Sequence, residues 1–150
     1  MPTPWTDLKL GIAVKDEAIT CIDFLPGNAK EIAAGSGIAA AAVRQLQNYF
    51  HDPRHAFDLP LAPLGTPFQQ RIWSALQRIS PGTTRRYGDL ARQMGSSARA
   101  VGGACRANPI PLVIPCHRVV AAQGMGGFMG VTAGRGLRIK RQLLAHEFTS

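Results

Sequence analysis

Apolar, β-favouring runs occupy Leu8 to Val14 and Ala18 to Phe24, and the polar Lys15-Asp16-Glu17 between them predicts a hairpin. Pro26-Gly27-Asn28 then turns the chain. From Ile38 the period changes: Ile38, Ala42, Leu46, Tyr49 and Phe50 recur at helical spacing and predict an amphipathic helix able to cover one face of that small sheet. Asp52-Pro53 ends it. Phe57-Asp58-Leu59 predicts an edge strand, and Pro60-Leu61-Ala62-Pro63-Leu64-Gly65 reads as a joint between two lobes.

Beyond the joint the pattern is helical. Thr66-Pro67-Phe68-Gln69 carries an N-cap, a proline at the first helical position and a capping-box glutamine. Ile72, Trp73, Leu76 and Ile79 follow as a buried stripe, stopped by Ser80-Pro81-Gly82. A second helix is predicted from about Tyr87 to Met94 with Gly95 as left-handed cap, and a third from Ala98 to Ala107 capped by Ser96-Ser97. Two helices joined by so tight a turn form a helix-turn-helix, the second being the candidate reader. That helix is unusually slim: Gly102 and Gly103 each cost about 1 kcal/mol relative to alanine. Either its backbone enters a DNA groove, or it packs closely on another helix. Val101 and Cys105 share its core-facing side.

At 150 residues the chain can bury a core without staples, and three cysteines at no repeating spacing argue against a disulfide framework. No basic leader or spanning apolar run is evident, which predicts a soluble, cytoplasmic protein. Charge changes the picture more. Through Leu64 there are five basic and seven acidic residues, net −2; from Gly65 there are twelve basic and two acidic, net +10. Eleven of those twelve are arginine, which suits bidentate phosphate contact and points to nucleic acid.

One cysteine stands apart. In Ile114-Pro115-Cys116-His117-Arg118-Val119-Val120 a thiol sits between a proline and a histidine inside a β-favouring run. Thiols react as thiolates, and a neighbouring imidazole and guanidinium favour that form, so Cys116 reads as a nucleophile. Pro115 cannot donate to a sheet ladder and is expected to end the strand there, exposing the thiol. In an extended segment Cys116 and His117 diverge, leaving a bridging water as the route between them. The opposing reading is a buried, inert thiol, the ordinary condition of unpaired cysteine.

Five ordered motifs share one register: Arg86-Tyr87-Gly88-Asp89-Leu90-Ala91, Arg99-Ala100-Val101-Gly102-Gly103, Asn108-Pro109-Ile110-Pro111, Ile114 to Val120, and Leu143-Leu144-Ala145-His146-Glu147. Together, over Gly65 to Glu147, they resemble the O6-alkylguanine-DNA alkyltransferase family. The resemblance implies an α/β (α+β) fold. Residues 1–64 would form an RNase H-like lobe, a small antiparallel sheet with a helix. Residues 65–150 would form a helical, winged helix-turn-helix-type lobe that binds DNA and carries the active-site cysteine. The implied function is DNA repair: O6-alkylguanine, with O4-alkylthymine as a further lesion, is flipped from the duplex and its alkyl group moved irreversibly to the protein. Such an S-methyltransferase inactivates itself after one turnover.

In that scheme Cys116 accepts the alkyl group, His117 activates it through water, and Glu147 holds the imidazole. Asn108 fixes the thiol's turn, while Tyr87 pushes on the phosphate and donates to the leaving base. Arg99 fills the gap left in the base stack, and Ala98, Ala100, Gly102, Gly103 and Arg106 complete the DNA-contacting surface. The carbonyls of Cys116 and Val119 accept from the guanine amino group, and Val119, Pro111, Phe128 and Met129 line the substrate pocket. The resemblance implies no cofactor, a monomer, and double-stranded DNA containing O6-alkylguanine as partner; the zinc-binding positions of some relatives are not recognisable here, so no metal is expected, and without a long apolar run no membrane is expected either. Phe128 stands where relatives often carry tyrosine, Met129 where they often carry serine, and Val131-Thr132-Ala133-Gly134-Arg135-Gly136 is a longer link to the last helix. A more apolar, adaptable wall would admit bulkier alkyl groups. Two other classes compete: a non-catalytic lesion-binding module, which needs no nucleophile, and a Cys-His hydrolase, which would need an oxyanion hole that the sequence does not signal. A zinc site from Cys21, His51 and His55 lacks a fourth ligand.

Overall fold

A computed structural model of the chain describes residues 1–32, 34–35, 37–124, 126–127 and 134–148, and it divides into two compact units, Met1–Leu64 and Gly65–Ser150. In the first, β1 (Leu8–Lys15) pairs antiparallel with β2 (Ala18–Pro26), Leu10 opposite Phe24 and Ile12 opposite Ile22. Asp16 and Glu17 form the two-residue loop with φ of 51° and 61°, the left-handed pair that a type I′ hairpin turn requires. Helix α1 (Ile38–His51) buries Ala42, Leu46 and Tyr49 in one core with Leu8, Leu10, Ile19 and Ile22 of the hairpin.

The expected edge strand at Phe57-Asp58-Leu59 does not form. The Gln45 side chain satisfies the backbone of Asp58 instead, accepting from its N–H at 2.8 Å and donating to its carbonyl at 2.9 Å. Pairing is displaced to Leu61, which bridges Ile19 in parallel. A side chain that offers both a donor and an acceptor removes the backbone's need for a sheet partner.

The second unit is mainly helical. Helix α2 (Pro67–Leu76) starts with a full capping box: Thr66 Oγ1 accepts from Gln69 N at 3.1 Å, and Gln69 Oε1 accepts from Thr66 N at 2.9 Å. Its apolar stripe buries Ile72, Trp73 and Leu76. Further on come α3 (Tyr87–Met94) and α4 (Ala98–Arg106), and Trp73 Nε1 donates to the Ala104 carbonyl at 2.9 Å, tying α2 to α4. Gly95, at φ 64°, closes α3 in a Schellman motif: Ser96 N donates to Ala91 O at 2.8 Å and Gly95 N to Arg92 O at 3.3 Å. Ser97 Oγ then accepts from Ala100 N at 3.1 Å to start α4. Cap chemistry therefore sets the turn between the two helices.

Two further features complete the unit. Strand β3 (Arg85–Arg86) pairs in parallel with β4 (Val119–Val120), a short ladder without a counterpart in the sequence pattern. Helix α5 (Arg135–Phe148) turns Ile139, Lys140, Leu143 and Glu147 inward. Of the run Ile114 to Val120, only Val119–Val120 is strand; Cys116–Arg118 is a single 3₁₀ turn. No helix among the described residues is long and apolar enough to cross a membrane.

Candidate functional site

Cys116 sits on a doubly turned segment. Cys116 N donates to Ile114 O at 2.8 Å across Pro115, whose φ of −83° and ψ of 66° make an inverse γ-turn, and Arg118 N donates to Pro115 O at 3.0 Å. Asn108 fixes the near end of the segment: its Nδ2 donates to Ile114 O at 2.8 Å and its Oδ1 accepts from Ile110 N at 3.0 Å. Leu112, 1 % exposed, is held at φ 75°, a left-handed conformation costing roughly 1–3 kcal/mol for a residue with a side chain. Such strain persists only where surrounding contacts over-determine it.

The thiol is not exposed as expected: Cys116 is 7 % exposed. No strand ends at Pro115, because the residues before it already turn and the strand begins only at Val119; the 3₁₀ turn that follows the proline packs against α2 and α5. Burial pushes the thiol above its ordinary pKa, while Asn108 and Lys140 pull against that rise. The expected help from Arg118 does not materialise, because its guanidinium is committed elsewhere. It donates through Nε and Nη2 to the two Glu147 carboxylate oxygens at 2.9 and 3.1 Å, and through Nη1 to Ile79 O at 2.6 Å.

His117, fully buried, places Nε2 2.6 Å from Glu147 Oε2. Burial would raise the Glu147 carboxyl, yet the hydrogen bonds from His117 and Arg118 outweigh it and hold the group at about 2. Burial lowers the imidazole's pKa, and Glu147 offsets this only in part. A neutral imidazole beside a carboxylate donates from Nε2, so Nδ1 carries the lone pair. Nδ1 is buried without a hydrogen-bond partner among the described residues. The residue next to the thiol is thus an imidazole in one tautomer with an unused basic nitrogen.

Lys140 is the functional candidate that sequence reasoning misses. It is fully buried, its Nζ donating to Val119 O at 2.6 Å and Gly127 O at 3.0 Å and standing 5.8 Å from the Tyr87 ring centroid. Burial lowers its pKa to about 8, with Cys116 and Cys105 opposing the fall. A signal exists: it is the single lysine among eleven arginines from Gly65 onward, on the apolar helix face that also carries Leu143 and Glu147.

Tyr87, half-buried, donates its hydroxyl to Gly127 O at 3.4 Å, and burial holds its pKa well above the ordinary value. Val119 and Pro111 are buried in the same unit, whereas Phe128, Met129 and residues 131–133 lie outside the described residues. On α4, Ala98, Arg99, Gly103 and Arg106 are exposed and Ala100 and Gly102 half-exposed. Among the described residues, a methyl group added at Gly102 or Gly103 would meet nothing within 4 Å beyond the helix itself, so close packing on a described helix does not explain either glycine. Among the described residues, no three histidine, cysteine, aspartate or glutamate side chains gather to hold a metal ion, the trio Cys21, His51 and His55 included.

Residues 67–149 match the sequence family described as 6-O-methylguanine DNA methyltransferase, DNA binding domain. A relative from Methanosarcina acetivorans, named methylated-DNA--protein-cysteine methyltransferase, is 38% identical over 144 residues, covering 91% of this chain and 89% of its own. In three dimensions the chain is similar to the O6-methylguanine methyltransferase of Mycobacterium tuberculosis, with a TM-score of 0.78 at 38% identity over 93% of this chain and 86% of that one. A structure from the same organism in complex with DNA gives a TM-score of 0.75 at 36% identity, over 93% and 86% of the two chains. A family match over more than half of the sequence, together with a relative aligned over most of both chains, shows that this chain belongs to the O6-alkylguanine-DNA alkyltransferase family.

Proposed function

We propose that the protein repairs O6-alkylguanine in double-stranded DNA by moving the alkyl group onto its own Cys116. The observation that carries this reading is the imidazole of His117, fixed by Glu147 in the tautomer whose free nitrogen can take a proton, on the residue adjoining a buried thiol. A thiol held above its ordinary pKa needs a base at the moment of reaction, and a water between sulfur and Nδ1 supplies the path. Glu147 then stabilises the imidazolium that results. The thiolate attacks the alkyl carbon, a carbon–sulfur bond forms, the carbon–oxygen bond breaks, and the departing guanine takes a proton donated by Tyr87. A thioether has no ready route back, so each molecule acts once.

The lesion must leave the base stack for in-line attack on its alkyl carbon. Arg99, exposed on α4, fills the vacated place, and the bare ridge at Gly102 and Gly103 brings the helix backbone close to the minor groove. The arginines from Gly65 onward, all but the buried and internally bonded Arg118, supply phosphate attraction without base preference. The test is a mass measurement. After incubation with duplex DNA containing O6-methylguanine, the tryptic peptide Ala107 to Arg118 should gain one methyl mass. Binding to that DNA with an unchanged mass would replace the transferase reading by the lesion-binding module.

The buried ammonium of Lys140 gives a second handle on the same reaction. Replacing Lys140 by methionine should keep the packing volume and remove the charge. Alkyl transfer at neutral pH should slow by at least about tenfold, with the pH–rate profile displaced upward because the thiol loses a stabilising cation. An unmoved profile would rule out electrostatic support from this ammonium.

A further inference from the structure

Arg118 directly follows the thiol and the imidazole in the chain, yet the transfer step makes no use of it. A free cation stays in water, whereas this side chain is 7 % exposed, and a charge is buried so deeply only against a partner. The partner is the carboxylate that also serves His117. Arg118 Nε and Nη2 donate to Glu147 Oε1 and Oε2 at 2.9 and 3.1 Å in a fork-on-fork pair, and Oε2 is the same atom that stands 2.6 Å from His117 Nε2. The 3₁₀ turn makes this sharing possible. In a strand, successive side chains point to opposite faces; on this turn both reach one carboxylate. Arg118 Nη1 donates to Ile79 O at 2.6 Å, so the fork is braced against the segment after α2 as well as against α5.

We propose that Arg118 is a positioning residue for the proton transfer: it balances the charge of Glu147, so that His117 rests as a neutral imidazole with Nδ1 open to the thiol's proton. The inference deepens the alkyl-transfer reading and rests on it. A lone buried carboxylate at 2.6 Å favours the imidazolium, and an imidazolium has no lone pair with which to take a proton. A permanent cation on the same carboxylate removes that preference, because Arg118, Glu147 and a neutral His117 together carry no net charge. The imidazolium then forms only as the thiol gives up its proton, and the new thiolate supplies the balancing charge. The groups around the ring act in the directions this requires. Burial, the largest influence, lowers the imidazole's pKa; Glu147 raises it; Arg118 beside it and Lys140 from α5 lower it again. The segment after α2 presents the Ile79 carbonyl, which Arg118 already holds.

NMR of isotope-labelled histidine ring nitrogens in the full-length protein reads the state of His117 directly. At pH 7 the wild-type ring should be neutral, with its proton on Nε2. In Arg118→Met, which removes the charge, the imidazolium should persist to a pH at least about one unit higher. The acid limb of the methyl-transfer rate should move up with it, a loss of about tenfold at acid pH that shrinks as pH rises. Arg118→Gln, uncharged but still a donor to the carboxylate, should show the same displacement and carries the test if the methionine variant does not fold. Arg118→Lys keeps the charge without the fork and should hold the limb within about half a unit of wild type. The proposal is overturned if the wild-type ring is an imidazolium at pH 7, if the uncharged variants lose rate equally at every pH with the ring titration unmoved, or if the lysine variant shifts as far as they do. The ring titration is read without DNA and the methyl mass on wild-type Cys116 without any variant, so failure here and failure of the alkyl-transfer reading are told apart.

Discussion

Replacing Cys116 by alanine should abolish alkyl transfer outright while leaving affinity for duplex DNA within about twofold of wild type, since phosphate contacts supply most of that affinity. The other thiol of the second unit is poorly suited to substitute, because Cys105 is buried and its pKa stands at about 12. The fold should survive: removing one buried sulfur leaves a small cavity, costing on the order of 1 kcal/mol. Mass spectrometry of the Ala107 to Arg118 peptide and titration with labelled duplex, run on one preparation, separate the two effects. Residual transfer would point to a second acceptor. Loss of DNA binding as well would mean that the cysteine is structural.

Removal of the Glu147 carboxylate should be the most damaging substitution for stability. Glu147→Ala leaves the Arg118 guanidinium and the His117 imidazole buried with their common partner gone. Breaking a buried pair from one side costs about 3–5 kcal/mol, which for a domain of this size lowers Tm by at least about 12 °C. The acid dependence follows with a definite sign. The carboxyl's pKa falls from 4.5 to about 2 on folding, so its contribution, about 3 kcal/mol, is complete above pH 4.5 and disappears as pH drops from there toward 2. Burial also lowers the imidazole's pKa below 6.5, which further weakens the fold as acid is added. Urea denaturation at pH 7 and pH 3 should therefore find wild type and variant far apart at the first value and closer at the second. Transfer should fall by at least about 10²-fold, because the imidazole loses the group that sets its tautomer. Equal stabilities at pH 7 would dismiss the carboxylate as an anchor.

Local chemistry makes much of the fold legible in the sequence. The capping box at Thr66, the left-handed glycine at position 95 and the serine cap at position 97 each act through neighbours within a few residues, and each helix start or stop lies where those residues put it. Features that depend on distant partners are less accessible. The edge strand expected around Asp58 gives way to the Gln45 side chain, thirteen residues away, and the β3–β4 ladder joins segments over thirty residues apart. At the site, residue types single out Cys116 and His117 and the family resemblance adds Glu147, but neither gives their exposure or charge environment. A proline between β-formers signals a break without saying which way the chain turns. A guanidinium beside a thiol in sequence is free to serve a carboxylate instead, as Arg118 does. Lys140 is hidden for a similar reason, because its importance comes from the carbonyls it reaches, which its own segment does not reveal.

The pair Gly102 and Gly103 carries a last consequence. Each weakens its helix by about 1 kcal/mol, and among the described residues a side chain at either position would meet nothing within 4 Å. An engineer who filled both positions with alanine to raise the melting point would harden the molecule at rest and, on the function proposed above, would thicken a ridge that has to lie against DNA.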